Sequence, residues 1–254
     1  MAYYRLQIGL ALSYKVWFTE FGFEHLRYAA FVNVGEKMRI QSMRRLGLIG
    51  CLLLSFLVGC GQTASEEIGY GSITESHYQN DYFGFEIQVP EGWSVQSQAE
   101  QQALMEMGAE LLAGDDEGLK NVMKASEAQT VSLFTFMKHE VGAPVTFNPS
   151  IIGLGERVAS MPGIKRGEDY FFHARKLLEQ GQIPYEFPQA VFSQKVAGFD
   201  FDVMPAEVTM VGVTIYQQYF AARIKDYMLV FILSYSNDEE FQELQSRLAT
   251  LKRL

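Results

Sequence analysis

Cysteine is nearly absent from this chain of 254 residues, which contains it twice, at positions 51 and 60. Because no cysteine follows Cys60, residues 61–254 can form no disulfide bond, and they contain neither a thiol nucleophile nor a thiolate ligand for a metal ion. Cys51 lies inside an apolar run and is interpreted as a small apolar residue. Only Cys60 remains as a cysteine with a chemical role to assign.

Histidine is also scarce. Beyond residue 60 it occurs as His77, His139 and His173, and no two of these have the spacing of a metal-binding motif such as H-E-x-x-H. Each is interpreted as a surface or partly packed imidazole. Gly153-Leu154-Gly155 lacks the third glycine of a dinucleotide fingerprint, and no serine lies in a G-x-S-x-G turn. The sequence therefore predicts a protein that is not an enzyme and has no cofactor.

After residue 60 the chain contains fewer Lys and Arg than Asp and Glu. The whole chain has a net charge of −9, and the first sixty residues contribute +4 (seven Lys or Arg against three Glu), which leaves −13 on residues 61–254. A segment this acidic is a poor partner for nucleic acid, whose phosphates require Lys and Arg. It is equally unsuited to binding an anionic membrane by charge alone.

One apolar run stands near the N-terminus. Leu46–Val58 contains no charged residue and follows Met43-Arg44-Arg45. A helix that crosses a bilayer needs about 20 apolar residues, so this run is too short to span one. A short basic segment followed by an apolar run of this length is typical of a bacterial secretory signal.

The apolar run ends in Leu57-Val58-Gly59-Cys60, which resembles the lipobox of bacterial lipoproteins. In those proteins the cysteine thiol receives diacylglycerol and the signal is cut just before it, which requires a small residue beside the cut. The resemblance implies cleavage after Gly59 and acyl chains on Cys60, several of which make membrane anchoring stable. The alternative is an uncleaved helix with a cysteine at its end by chance.

The predicted anchor also indicates a location. In enteric-type lipoproteins an Asp directly after the lipidated cysteine marks retention in the inner membrane, and here that position is Gly61. We therefore expect the protein in the cell envelope, lipid-anchored to the periplasmic face of the outer membrane rather than to the inner membrane.

The chain is expected to divide into four parts. Residues 43–59 are the predicted signal peptide, and residues 60–77 are the lipidated cysteine followed by a polar, flexible tether. Residues 1–42 are interpreted as a mis-called extension before the true start at Met43, the alternative being an extra domain, which so short a segment would not stabilise with its own core. Residues 78–254 form the predicted folded domain.

Periodic patterns predict helices and strands within this domain. Ser97 and Glu100 have the spacing of a capping box at a helix start, and Ser236 and Glu239 repeat it. A further helix is predicted over Glu168–Gln180. The predicted strands are 82–89, 131–137, 148–158, 190–197, 199–211, 214–223 and 227–235. Because the last four follow one another through short turns, the sequence predicts an α+β fold with an antiparallel sheet flanked by helices.

A family resemblance supports this fold. The stretch YFGFEIQVPEGW, residues 82–93, contains the pattern F-x-I-x-V-P-x-G-W and resembles the opening strand of PsbP-like domains. That superfamily includes the PsbP extrinsic subunit of photosystem II, a Ran-binding nuclear-transport factor and many small bacterial lipoproteins. The resemblance covers roughly residues 78–254. It implies an α/β/α sandwich that docks to other proteins, without catalysis.

Three acidic residues are candidates for a metal site. Asp200 and Asp202 share one face of a predicted strand, and Glu207 is close in sequence. Carboxylate oxygens could bind Ca²⁺, or two carboxyl groups could act as an acid–base pair. Simple alternation, with Phe199 and Phe201 pointing inward, explains the pattern without any site.

Two functions therefore remain open. The first is a lipid-anchored, non-catalytic protein that binds or supports another envelope protein, with no nucleic acid partner. The alternative is a lipoprotein that binds a small ligand or metal ion through the acidic residues or an aromatic groove. Four aromatic residues on adjacent predicted strands could line such a groove, although core packing is the favoured explanation for them: Tyr216, Tyr219, Phe220 and Tyr227.

Overall fold

The structure, a computed structural model, describes residues 68–74 and 76–254. Residues 1–42, the predicted signal at 43–59, its lipobox and Cys60 all lie outside the described residues, so the roles assigned to them stay predictions. In the part of the chain that the structure describes, no helix is both long enough and apolar enough to cross a membrane.

Strands and helices alternate along the described residues. The strands are β1 (Ser72–Thr74), β2 (His77–Asn80), β3 (Phe85–Gln88), β4 (Ser94–Val95), β5 (Thr130–Met137), β6 (Ser150–Arg157), β7 (Tyr185–Glu186), β8 (Phe192–Val196), β9 (Phe199–Met210), β10 (Val213–Ile224), β11 (Tyr227–Tyr235) and β12 (Lys252–Arg253). The helices are α1 (Gln98–Ala113), α2 (Glu117–Glu127), α3 (Gly167–Gln180) and α4 (Asp238–Leu248).

Two antiparallel sheets are formed by these strands. The larger sheet has the order β4-β5-β6-β11-β10-β9-β7, and β8 pairs with the outer edge of β9 beside β7. The smaller sheet has the order β1-β2-β3-β12. The predicted α+β class with an antiparallel sheet flanked by helices is confirmed. The short strands β1, β2, β4, β7 and β12 carry no clear periodicity and were not predicted.

The larger sheet lies between two hydrophobic cores. One face packs against α1, α2 and α3, and the other face packs against the smaller sheet and α4. Strand β11 is central, as its apolar sequence predicts, because alternate residues enter the two cores. Met228, Val230 and Ile232 enter the helical core, and Leu229, Phe231 and Leu233 enter the other core.

Strand β6 is buried and paired on both sides, although its sequence contains two glycines. A strand is predicted over 148–158, although Gly153 and Gly155 have low β propensity. In the structure, β6 lies between β5 and β11 and is buried along most of its length. A side chain at Gly153 would overlap the ring of Phe134, and one at Gly155 would meet Phe83. The two glycines therefore make room for aromatic rings of the core.

Helices α1 and α4 test the two predicted capping boxes. The first is confirmed, since the Ser97 side chain accepts from the backbone N–H of Glu100 and the Glu100 carboxylate accepts from the Ser97 N–H. The second prediction, Ser236 with Glu239, is wrong by one residue. Asn237 caps α4, and its side chain accepts from the N–H of Glu240.

The folded domain begins earlier than predicted. The expected tether includes residues 68–77, but Ser72–Thr74 forms strand β1 and pairs with β2. Ile68 packs against the core beneath the smaller sheet, and the amide of Asn80 donates to the Gly69 carbonyl at 3.0 Å. The folded domain therefore includes Ile68 and Ser72–Thr74, and the predicted domain start at residue 78 is wrong.

Candidate functional site

Asp202 is the most extensively bonded of the three acidic candidates. Its carboxylate accepts from Nε and Nη2 of Arg166 at 2.9 and 2.5 Å, and from Oγ of Ser193 at 2.7 Å. It also accepts from the backbone N–H of Glu168 at 2.9 Å, in the first turn of α3. An anion at a helix N-terminus satisfies free N–H groups and is stabilised by the helix dipole. Asp202 therefore caps α3 from the neighbouring strand.

The electrostatics of this cluster favour the charged forms. Hydrogen bonds from Arg166, opposed by partial burial, lower the pKa of the Asp202 carboxyl from its usual value. The bonds to Asp202 raise the pKa of Arg166. Asp202 is only 5% exposed, whereas the Arg166 side chain is about half exposed, so solvent screens the pair on one side. The arrangement is an ion pair that fixes the start of a helix.

The three candidates do not form a joint metal site. Asp200 extends into solvent and pairs with Lys195 at 3.2 Å. Glu207 lies an odd number of residues from Asp202 along an unbroken strand register, so it points to the opposite face of the sheet. The fold therefore does not bring these three carboxylates together. Among residues 68–74 and 76–254, no group of three or more His, Cys, Asp or Glu side chains could hold a metal ion.

Glu156 is an ionisable group that sequence reasoning missed. It lies near the end of β6, is 1% exposed and faces the helical core. Its carboxyl group accepts from the hydroxyl of Tyr170 at 2.8 Å and is 3.4 Å from Oγ of Ser126. Burial raises the pKa of the Glu156 carboxyl to about 8, and the bonds from Tyr170 and Ser126 oppose this shift. Nothing in the run GLGERV distinguishes a buried glutamate from one at an exposed strand end.

The four aromatic candidates are distributed over both faces of the larger sheet. Tyr219 and Phe220 are buried on opposite faces, and the Tyr219 hydroxyl donates to Oε1 of Gln217 at 2.7 Å. Tyr227 packs edge-on against two rings of the turn before β3. Tyr216 is 37% exposed and stacks on Tyr235, 5.6 Å between centroids. Core packing accounts for three of them, and Tyr216 is the most exposed of the four.

An open cavity of about 350 Å³ lies between the β8–β9 turn and the last turns of α4. Its apolar lining includes Val196, Phe220 and Leu248, and Gln194 and Gln245 contribute polar groups. A concave apolar surface with a few polar groups is the usual form of a small-ligand site.

The N-terminus of the described chain enters at one end of the larger sheet, which we call the tether end. Residues 68–71 lie beside the turn between β2 and β3, where the Tyr78 hydroxyl donates to the Tyr70 carbonyl at 2.8 Å. Tyr82 in that turn lies beneath the ammonium group of Lys225, 4.6 Å from the ring centroid. The β10–β11 turn is therefore at the tether end, and the β9–β10 turn at Val211 is at the opposite, distal end.

Comparison with known proteins adds a structural likeness. No protein-family model matches the chain, and no curated protein matches it. Three of the similar solved structures have 11–13% sequence identity to it. Cyanobacterial PsbP (CyanoP) from Synechocystis sp. PCC 6803 is 11% identical with a TM-score of 0.42, over 72% of this chain and 96% of that chain.

The other two comparisons are weaker. LpqN of Mycobacterium tuberculosis, which is involved in cell envelope biogenesis, is 12% identical with a TM-score of 0.36, over 66% of this chain and 82% of that chain. A Pseudomonas aeruginosa protein of unknown function is 13% identical with a TM-score of 0.32, over 44% of this chain and 73% of that chain. Because all three TM-scores are below 0.5, the α+β class is assigned from the strands and helices themselves.

Proposed function

We propose that this is a lipid-anchored, extracytoplasmic protein of PsbP-like architecture that binds or supports another protein of the cell envelope without catalysing a reaction. The observation that carries the proposal is the order of segments at the N-terminus. A basic segment and an apolar run end in Leu57-Val58-Gly59-Cys60, and the fold begins at Ile68, shortly after the cysteine. The Cys60 thiol lies at the position where bacterial lipoproteins carry their lipid.

The internal polar groups support a non-catalytic role. Asp202 holds the start of α3, and Glu156 is enclosed in the helical core without access for a substrate. Catalytic groups need a path to a reacting molecule and a geometry in which several of them converge. Both of these carboxyl groups are instead engaged by neighbouring elements of the fold.

The first experiment tests the anchor. Cells that express the natural protein are expected to incorporate labelled palmitate into it and to retain it in the membrane fraction. Cys60→Ser should lose both properties, while Cys51→Ser, which alters a residue of the discarded signal, should keep both. Intact mass of the membrane-extracted protein would give the true start, the cleavage point and the number of acyl chains. Unchanged fractionation of Cys60→Ser would contradict the proposed anchor.

The second experiment tests the partner. Affinity capture of the lipidated protein from crosslinked cells should recover a specific envelope protein, and the same protein should be enriched when capture is reversed from the partner. Tyr216→Ala removes one of the exposed aromatic rings and leaves the core rings in place, so it is a suitable interface variant and should lower the recovery of the partner. Recovery of abundant bystander proteins alone would argue against a supporting role.

A second candidate function is favoured by the cavity beside α4. Its apolar lining suits a small apolar molecule with a hydrogen-bonding group that Gln194 or Gln245 could contact. A thermal-shift panel of metabolites tests this, because a ligand at a hundred times its Kd stabilises the folded state by about 2.7 kcal/mol. A shift that disappears in Ala249→Trp, which fills the cavity, would support ligand binding, and a flat panel would exclude this candidate.

A further inference from the structure

We infer that strand β8 is the surface through which two copies of this protein associate, each copy adding its β8 to the open edge of the other's larger sheet. The inference goes beyond the proposed function and depends neither on the lipid anchor nor on the envelope partner. Three observations support it: an unpaired strand edge, a strand sequence that matches itself in one register, and an exposed aromatic ring that meets an apolar cavity in that register.

Strand β8 has one unpaired edge. All five of its residues, Phe192–Val196, pair with β9 on one side, and no strand in the described part of the chain pairs with the other side. Backbone N–H and C=O groups along such an edge are available to a further strand. Among the described strands that lie outermost in either sheet, β8 is the longest, because β1, β4, β7 and β12 have only two or three residues each.

The usual protections of an edge strand are weak at β8. Such an edge is commonly blocked by proline or by charged side chains. β8 contains no proline, and its one charged residue is Lys195. The Lys195 ammonium group pairs with Asp200 of the adjacent strand β9 at 3.2 Å, so it leans over the sheet and away from the open edge. The side chains of β8 therefore leave its backbone open to a partner strand.

A second copy of β8 can pair with the first in one complete register. Two copies of a strand pair antiparallel about a two-fold axis normal to the sheet, and a residue on that axis faces itself. With Gln194 on the axis all five residues are paired, because Phe192 then lies opposite Val196 and Ser193 lies opposite Lys195. An axis at Lys195 would set two ammonium groups against each other, and an axis at Ser193 would leave Val196 without a partner in β8.

On the side of the sheet that faces α3, the register centred on Gln194 keeps like charges from lying directly opposite each other. Lys195 lies opposite Ser193 of the second copy, whose hydroxyl donates to Asp202 at 2.7 Å and accepts from Arg166 at 3.1 Å. Asp202 and Arg166 form an ion pair, so their charges balance, and Lys195 keeps its own partner on β9. Directly opposed like charges would destabilise the strand pair, and this register avoids them.

On the side that faces α4, an exposed ring meets an apolar cavity. Phe192 is 41% exposed, although it is a large apolar residue. Val196 lines the cavity of about 350 Å³ beside α4, together with Phe220 and Leu248. Because Phe192 of the second copy lies opposite Val196, its ring is placed at the mouth of this cavity, and the two-fold axis repeats the contact.

The arrangement of ring and cavity selects a second copy as the occupant of the edge. A two-fold interface consists of one patch that is complementary to itself. Phe192 and Val196 lie two residues on either side of Gln194, which is the spacing that an axis through Gln194 requires. A strand from a different protein could use the open edge, but it would leave both the exposed ring and the position of the cavity unexplained.

A disulfide test identifies the residue on the axis in the full, detergent-extracted protein. Gln194→Cys should give a disulfide-linked dimer on mild oxidation, because residues directly opposite each other lie within ~5.5 Å between Cα atoms. Ser193→Cys alone should crosslink far less, since its two copies lie on a diagonal of about 7–8 Å. A mixture of Ser193→Cys and Lys195→Cys should crosslink again. The natural sequence, without an introduced thiol, gives the background.

Sedimentation of the same extracted protein measures the association. The natural sequence should form a dimer that dissociates on dilution. Phe192→Asp, which places a carboxylate at the apolar contact, should raise the Kd roughly tenfold or more. Ala249→Trp, which fills the cavity, should also raise it. Phe172→Asp, on α3 and 58% exposed in the natural protein, is the matched control and should leave the Kd unchanged. Circular dichroism checks that each variant is folded.

Three outcomes would overturn the inference. The protein could remain monomeric at every concentration. It could form a dimer that Gln194→Cys does not link or that Phe192→Asp does not weaken, which would mean that the copies associate through another surface. Gln194→Cys could crosslink in cells to a different protein in place of a second copy, which would assign the edge to that protein. None of these outcomes bears on lipid attachment, which Cys60→Ser tests separately.

Discussion

At the scale of single residues, the two buried carboxyl groups behave in opposite ways, and their surroundings explain why. Asp202 accepts bonds from a guanidinium group, a hydroxyl and a helix N–H, so its charged form is stabilised. Glu156 has two hydroxyl neighbours and is enclosed in the helical core, so desolvation dominates. One group is therefore expected to stabilise the fold when ionised and the other when protonated.

Glu156 should make the protein less stable as the pH rises. Its pKa is raised from 4.5 to about 8 in the folded state, so between these values the folded state holds a proton that the unfolded state has released. The free energy of unfolding should then fall by up to about 1.4 kcal/mol for each pH unit. Glu156→Gln, which cannot ionise, should remove most of this slope in urea titrations between pH 5 and 8. Glu91→Gln, a change of one exposed carboxyl, is the matched control, and an unaltered slope in Glu156→Gln would contradict the prediction.

Asp202 should contribute stability that is lost in acid. Because its pKa is lowered in the folded state, the contribution is complete above the ordinary carboxyl pKa of 3.8 and declines as the pH falls through the folded value. Asp202→Asn should lower the free energy of unfolding at pH 7 by about 1–3 kcal/mol, a range reduced because Arg166 is half exposed. The difference between the variant and the natural protein should shrink in acid.

Asp200→Asn is the control for that experiment, since it lies two residues away on the same strand and its carboxylate is exposed. Its effect should stay within about 0.5 kcal/mol. If the two variants were equally stable, the bonds from Asp202 to α3 would not hold the helix as the geometry indicates.

At the scale of helices and strands, β6 shows how core packing overrides local propensity. A side chain at Gly153 would enter the space of the Phe134 ring, which contacts Phe136 at 4.5 Å and Phe231 at 5.9 Å between centroids. Gly153→Ala should therefore lower the free energy of unfolding by about 1–3 kcal/mol through overpacking, measured by urea denaturation. Gly163→Ala, where an added methyl group meets no atom within 4 Å, is the matched control and should be neutral or slightly stabilising.

The sequence allowed most helices and the long strands to be predicted, because their apolar periodicity is set by the cores. The sequence-based prediction failed where packing against a distant element decides the position of a helix start. In α4, Ser236 and Asn237 are both good caps and are followed by several acidic residues, so only the burial of Leu244 and Leu248 fixes the helix start at Asn237.

The candidate site was harder to predict than the fold. The alternating pattern correctly places Asp202 on the face of β9 opposite to the buried phenylalanines. Because α3 covers that face, Asp202 is buried in the structure and not exposed. Glu156 gives no local signal because its burial results from the packing of α2 and α3 over β6. A single sequence does not show which face a helix will cover.

At the scale of the whole molecule, local stability should vary from the centre of the larger sheet to the edge of the smaller one. β11 is paired on both sides and almost fully buried, whereas β1 is short, exposed and paired only with β2. Regions with few buried contacts and an open edge unfold locally at low free energy, and buried central strands open only with the whole domain. Native-state hydrogen exchange should therefore show β6, β10 and β11 exchanging last and β1 first.

The exchange of β11 requires global unfolding, whereas the exchange of β1 requires only the loss of its pairing with β2. Protection of β1 that equals that of β11 would therefore contradict the graded stability.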